Sequence, residues 1–311
     1  MTFSIKKIAV IGTGVIGVGW TLRFLAKNKI VFVFDPKSEQ KEFLLNEIKR
    51  TSTSIKKFYK ISNLPINKLH FTNSIKEAVK DADLIQENTP ENELIKKKIV
   101  KEISKWAKPK ALIASSSSGL LPSRIQTACK NPERFFIAHP FNPVYLLPLV
   151  ELVKGKKTKE SYIKISKLFY RSLGMKPLEL KKEVAGYLSD RLQEAIWRES
   201  LHIINDNLAS TEDLDQAIIH GPGLRWSLMG NFLTFHLAGG KQGMKHTLEQ
   251  FGPTLKLPWT KIKAPKLSKN LTNKIVKGTK KQSKGKSINK LTILRDNFLI
   301  DLLKLKNKYK L

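Results

Sequence analysis

The chain has 311 residues with 57 lysines and arginines against 26 acidic residues, a net charge of +31 and one cysteine. Its length suffices to bury a large core and fits two domains better than one, and no apolar stretch reaches the roughly 18 residues of a membrane span. Cys129 alone excludes an intramolecular disulfide and a cysteine-cluster metal site, and the segment before Ile11 is too short for a secretory leader, so the expectation is a cytoplasmic protein without a metal.

The first predicted element is a strand, Lys7-Ile8-Ala9-Val10-Ile11, which runs into Gly12-Thr13-Gly14-Val15-Ile16-Gly17. From Val15 to Lys27 apolar residues recur at helical spacing. A glycine-rich turn between a strand and a helix suits a dinucleotide pyrophosphate. The first glycine permits the bend, the second lets backbone approach phosphate, and the third allows close helix packing, while the helix N-terminus offers free N–H groups. A second strand, Ile30-Val31-Phe32-Val33-Phe34, ends in Asp35, where an acid reaches a ribose 2′-hydroxyl and repels a 2′-phosphate, favouring NAD over NADP.

A long polar-faced helix is expected from Glu39 to Lys60, then strands at 68–72 and 82–86, a helix from Glu91 to Trp106 and a buried strand at 111–114. Alternation of strands and helices predicts a doubly wound Rossmann-type α/β fold with a mostly parallel sheet, extended by strands at 135–138, 149–153 and 176–180. Strand signals fade after Gly186. The expected domains are therefore 1–184, binding the dinucleotide, and 185–311, smaller and all helical. The second opens with a helix from about Tyr187 to Asp206. Ser210 and Asp213 suit the N-terminal cap of the next helix, and Gly221-Pro222-Gly223 precedes a helix carrying Trp226, Phe232 and Phe235. Near the end, Lys284-Gly285-Lys286-Ser287 lacks the glycine a phosphate loop needs at position 280, so it reads as a polar turn between two helices, the second from Ile288 to Leu305.

Oxidation of an alcohol without a metal requires a base for the hydroxyl proton while hydride leaves carbon. Histidine, with an ordinary pKa near about 6.5, suits that task. His139 lies just beyond the strand at 135–138, at the carboxyl end where open α/β sheets bind ligands, and Pro140 and Pro143 stiffen the turn after it. Glu151 sits within the apolar run Leu149-Val150-Glu151-Leu152-Val153, where a carboxylate is costly unless paired, and the imidazole of His139 is the expected partner.

The glycine turn, Pro90-Glu91-Asn92, Ser115-Ser116-Ser117-Ser118 and His139-Pro140-Phe141-Asn142-Pro143 together resemble the 3-hydroxyacyl-CoA dehydrogenase family over nearly the whole chain. That resemblance implies a two-domain homodimer in which the helical domain dimerises and helps enclose the substrate. It puts the catalytic histidine at His139, its partner at Glu151, a substrate-positioning serine at Ser118 and cofactor contacts at Glu91 and Lys96. The family's asparagine at the start of the second domain is Asp190 in this chain, a change of charge where an acyl oxygen would be held, which weighs against fatty acyl-CoA. Finer motifs, among them HPFNPVYLLP from His139 and GLRWSLMG from Gly223, are similar to a branch acting on a small 3-hydroxy acid that bears a trimethylammonium group. A neighbouring branch that oxidises the sugar acid gulonate shares the glycine-leucine-arginine-aromatic motif.

A trimethylammonium group accepts no hydrogen bond and is held by aromatic faces, for which Phe141, Tyr145, Trp226, Phe232 and Phe251 are candidates. Arg191 or Arg225 suits a substrate carboxylate, and the choice between them stays open. The alternatives are gulonate or 3-hydroxyacyl-CoA oxidation, a polyanion binder driven by charge, or a crystallin-like structural protein. Against the polyanion reading, 48 of the 57 basic residues are lysines spread along the chain, whereas base readers rely on arginine and localised basic stripes, so no specific nucleic-acid partner is expected.

Overall fold

The computed structural model describes residues 4–260, 268–273, 276 and 284–309, which form two compact units, Met1–Asp190 and Arg191–Leu311. The first unit is built on eight strands: β1 (Lys7–Ile11), β2 (Ile30–Phe34), β3 (Leu69–Phe71), β4 (Leu84–Glu87), β5 (Leu112–Ser115), β6 (Phe135–Pro140), β7 (Leu149–Lys154) and β8 (Lys176–Glu179). They lie in the order β3-β2-β1-β4-β5-β6-β7-β8, and every neighbouring pair is parallel except β6 and β7. This is the doubly wound, mostly parallel arrangement the strand and helix alternation predicts.

The helices of this unit are α1 (Val15–Ala26), α2 (Glu39–Tyr59), α3 (Ile75–Val79), α4 (Glu93–Trp106), α5 (Pro122–Ile125) and α6 (Glu160–Ser172). Side chains alternate across a strand. Ala9 and Ile11 of β1 therefore join Val79, Val100, Ile103 and Ile125 from α3, α4 and α5 in one buried cluster. The other side is aromatic: Trp20 stacks on Phe24 at 5.2 Å, and Tyr170 of α6 lies 5.6 Å from Trp20.

Helix α1 is buried continuously from Gly17 to Ala26, including Arg23. A buried guanidinium is costly unless its donors are satisfied. Arg23 donates to the carbonyls of Val144 (2.7 Å), Leu147 (2.9 Å) and Leu173 (3.1 Å). Tyr59 donates to the carbonyl of Tyr145 at 2.8 Å, and a Cβ on Gly19 would lie 2.8 Å from that of Val144. The turn between β6 and β7 is thus held tightly against α1 and α2. Helix α2 is amphipathic by contrast, burying Leu44, Ile48, Thr51 and Ile55 on one face, with Glu39 and Glu42 in its first turn and Lys56 and Lys57 in its last, the signs the helix dipole favours.

Several boundaries differ from the sequence expectation. β6 continues through His139 and Pro140, because both residues pair with β7. α4 begins at Glu93 rather than Glu91, since the Asn92 side chain caps it by accepting from the N–H groups of Leu94 (3.0 Å) and Ile95 (3.1 Å). The helix expected from Tyr187 is α7 (Ser189–Asn205), because Tyr187 adopts φ +45, in the left-handed region that ends regular structure.

Beyond α7 come α8 (Thr211–His220), α9 (Pro222–Leu228), α10 (Asn231–Ala238), α11 (Met244–Phe251) and α12 (Ile288–Lys308). Ser210 and Asp213 form the expected capping box on α8. The single helix expected to carry Trp226, Phe232 and Phe235 is two, because Met229 is extended and Gly230, also extended, is the N-cap of α10. Lys284 and Gly285 form the expected turn before α12, and the helix expected before that turn lies largely outside the described residues.

Candidate active site

The site is built at the carboxyl ends of β1, β4, β5 and β6. Gly12 has φ +87, and a Cβ there would lie 2.8 Å from the Asn88 carbonyl oxygen, so only glycine fits. A Cβ on Gly17 would come within 1.9 Å of the Gly12 carbonyl oxygen. Gly14 differs: it caps α1 without any side-chain hydrogen bond, and a Cβ there meets nothing within 4 Å. The first turn of α1 has no acidic residue. Its N-terminus therefore faces open space with unclaimed N–H groups and the positive end of the helix dipole, which fits a dinucleotide pyrophosphate. Asp35, just past β2, accepts from the N–H of Thr13 at 2.8 Å and the N–H of Lys37 at 3.0 Å, so the acid is fixed beside the turn.

His139 and Glu151 are register partners across the antiparallel pair β6 and β7. Nδ1 of His139 lies 2.9 Å from Glu151 Oε2, with the imidazole 5% exposed and Glu151 fully buried. Oε1 of Glu151 accepts from the N–H of Leu188 (3.1 Å), the N–H of Ser189 (3.0 Å) and the Ser189 hydroxyl (3.0 Å). Burial pushes this carboxyl up, but the His139 hydrogen bond and those from Ser189 outweigh it, and its pKa ends below the ordinary value. An ionised Glu151 requires Nδ1 to carry the proton, which leaves Nε2 as the nitrogen that accepts one. Asp190 Oδ2 is 3.6 Å from that Nε2.

Two rings hold the imidazole. Phe141 meets it edge-on with centroids 5.3 Å apart, and Tyr187 lies at 5.5 Å. Tyr187 is fully buried and donates to the Leu120 carbonyl at 2.8 Å, and burial raises its pKa well above the ordinary phenol value. Neither Tyr187 nor Ser189 stands out in the sequence. Gly186 just before them, with φ +73, was the one available signal of a turn.

Of the four serines from Ser115, the last residue of β5, to Ser118, the first three donate to different partners. Ser115 donates to Glu87 Oε2. Ser116 donates to Asn88 Oδ1 at 2.7 Å and accepts from Trp20 Nε1 and Gln86 Nε2. Ser117 donates to Glu91 Oε1 at 2.6 Å, and the same oxygen accepts from the N–H groups of Ser118 and Gly119, each at 3.0 Å. Ser118 is exposed. Lys96 is buried: its ammonium contacts both oxygens of Glu87 (3.0 and 3.2 Å) and the Thr89 carbonyl (2.9 Å), with Glu91 Oε2 at 3.6 Å. A cofactor would therefore meet Glu91 before Lys96.

The remaining candidates lie in the second unit. Arg191 is exposed on α7, Arg225 and Trp226 are exposed on α9, and Phe251 ends α11 with its ring about half exposed. Tyr145, in the first unit, is buried among core residues instead.

The 3-hydroxyacyl-CoA dehydrogenase NAD-binding domain model matches residues 7–184, and that family's C-terminal domain model matches 186–286. An L-carnitine dehydrogenase from Bacillus cereus is 52% identical over 98% of this chain and 94% of its own length. Another from Oceanobacillus iheyensis is 47% identical over 98% and 99%. Among solved structures, an NAD-dependent pyridine-carboxylate 5-dehydrogenase superposes with a TM-score of 0.80 at 23% identity, covering 97% of this chain and 98% of that one, a likeness of fold. With both domain models matched in order along its length, the chain belongs to the 3-hydroxyacyl-CoA dehydrogenase family and is an NAD-dependent dehydrogenase acting on a CH–OH group.

Proposed function

We propose that the chain oxidises the 3-hydroxyl of L-carnitine to 3-dehydrocarnitine. The observation that carries this reading is the buried pair of His139 and Glu151, with Nε2 directed away from Glu151 and flanked by the carboxylate of Asp190. L-carnitine joins a 3-hydroxyl to a permanent cation, and a negative charge at Asp190 favours such a substrate over a sugar acid or the polyphosphate of coenzyme A. The relatives named L-carnitine dehydrogenases support the same choice, at 44–52% identity over nearly the whole chain.

In this mechanism Nε2 of His139 takes the proton of the 3-hydroxyl as hydride leaves the carbon that bears it, and the C–O bond becomes a carbonyl. NAD, when bound, supplies the hydride acceptor. Glu151 keeps Nδ1 protonated and stabilises the imidazolium that forms. Ser118 holds the substrate oxygen. Gly12, Thr13, Gly14, Val15, Ile16 and Gly17 would hold the pyrophosphate of NAD, Asp35 would take its adenosine ribose, and Glu91 and Lys96 would contact it on the nicotinamide side. Phe141, Trp226 and Phe251 are assigned to the trimethylammonium, and Arg191 or Arg225 to the carboxylate. The division of labour assigned is 1–184 for cofactor and chemistry and 185–311 for substrate and self-association, as a cytoplasmic homodimer. That dimer rests on outward apolar side chains of the second unit such as Phe232, 82% exposed, and Phe298, 65% exposed.

The test is NADH formation with L-carnitine, L-gulonate and 3-hydroxybutyryl-CoA in parallel. The expected result is turnover on L-carnitine at least tenfold above the others; faster oxidation of either rival overturns the substrate assignment.

A further inference from the structure

Glu87 ends β4 at the ligand side of the sheet and is fully buried. A carboxylate there is expensive unless its lone pairs are filled, and they are. It receives the Lys96 ammonium on both oxygens, the N–H and hydroxyl of Thr89 on Oε1, and the Ser115 hydroxyl on Oε2. Fold stability does not demand this arrangement, because an apolar pair of similar volume serves a buried position as well as or better than an ion pair. What the pair does is reach outward.

Lys96 extends from Glu87 to Glu91 Oε2, and Glu91 Oε1 gathers the Ser117 hydroxyl and the N–H groups of Ser118 and Gly119. A second connection runs from Glu87 to Ser115, whose oxygen accepts from the N–H of Ser117 at 3.3 Å. Both routes end at the turn that carries Ser118. One ammonium thus serves two carboxyl groups, that of fully buried Glu87 and that of Glu91, whose side chain is 41% exposed.

We infer that Glu87 is a positioning residue for the dehydrogenation: through Lys96 and Glu91 it fixes the turn at Ser117, Ser118 and Gly119 against the reacting centre. This rests on the site assignment above and not on the identity of the substrate. Neither Glu87 nor Lys96 touches substrate; they set where Glu91 and Ser118 stand.

The experiment compares Glu87→Gln, Lys96→Met and the paired Glu87→Gln/Lys96→Met variant in the full chain. Each single variant strands one charge and lowers Tm, whereas the paired variant removes both charges and recovers Tm towards wild type. The inference expects kcat of the paired variant to stay at least tenfold below wild type although its Tm is recovered. It also expects faster hydrogen exchange at the amides of Ser118 and Gly119, a readout that needs no substrate. A paired variant with wild-type kcat overturns the inference. So does lost turnover with both amides as protected as in wild type, since the effect then does not run through Glu91. Absence of L-carnitine turnover in the wild-type protein overturns the substrate assignment alone; kcat is then read on whichever of the two rival substrates the wild type oxidises, and the exchange comparison stands unchanged.

Discussion

The two units spend their apolar residues in opposite ways. In the first, strands β1, β4, β5 and β6 are fully buried nearly from end to end, and even the charged groups Arg23, Glu87, Lys96 and Glu151 are enclosed with their hydrogen bonds satisfied. In the second, the buried apolar side chains among the described residues are Leu201, Ile204, Leu271 and Ile300, while Trp197, Phe232, Phe235, Leu237 and Phe298 are exposed. Burial of apolar surface drives folding and association alike. The first unit encloses its apolar side chains and its charges together; the second, among the described residues, leaves large apolar side chains at its surface.

The comparison breaks first at the base. His139→Asn should lower kcat by roughly 10²- to 10⁴-fold and leave NADH affinity nearly unchanged. Turnover near wild type, measured by NADH absorbance, would move the chemistry away from the β6 and β7 pair.

A smaller effect probes one aromatic in each unit. A desolvated cation–π contact is worth about 2 kcal/mol, so Phe141→Leu or Trp226→Leu should weaken L-carnitine binding about 30-fold where the ring faces the cation. Calorimetric affinity with Tm recorded alongside separates lost recognition from lost folding. If both variants keep wild-type affinity, the trimethylammonium is held elsewhere.

Asp35→Ala should narrow the preference for NAD over NADP by about tenfold, since each 1.4 kcal/mol of removed repulsion is a factor of ten. An unchanged ratio of kcat/KM for the two cofactors would remove Asp35 from cofactor choice.

Glu151 tests the enclosed charges through pH. Its pKa is held below the ordinary carboxylate value, so its contribution to stability is fully present above about pH 4.5 and is lost as pH falls through the lower folded value. The Tm difference between wild type and Glu151→Gln should therefore be constant near neutrality and shrink only in acid. A difference that already vanishes at pH 6 would contradict the depressed pKa.

The smallest effect on turnover is expected for Phe232→Glu, which places a charge on the exposed face of α10. If the proposed homodimer uses this face, sedimentation should show a shift from dimer to monomer with Tm little altered. An unshifted dimer would put the self-association surface elsewhere.

Much of this was readable from residues whose meaning is local. Gly12 to Gly17 sits between a strand and a helix of opposite periodicities, and Glu151 interrupts an apolar run, where the cost of burying a carboxylate points to a partner. Glu87 follows Gln86 at the end of a short strand and gives no such signal, and its partners Lys96 and Ser115 come from a helix and a strand whose placement depends on sheet order. Tyr187 was illegible for another reason: its left-handed backbone and its ring on His139 are imposed by packing, against the preference of a bulky residue. Arg23 lies between, a charge in the apolar stretch Trp20 to Ala26 whose acceptors are carbonyls far along the chain.

The reversal of direction between β6 and β7 has a consequence for how this chemistry can be inherited. In a parallel pair, His139 and Glu151 would belong to segments separated by a crossover helix, and insertions in that helix would set their relation. The antiparallel pairing makes them opposite rungs of one ladder within residues 135–154. A base and the group that orients it thus travel as a single stretch of chain, to be inherited or lost together.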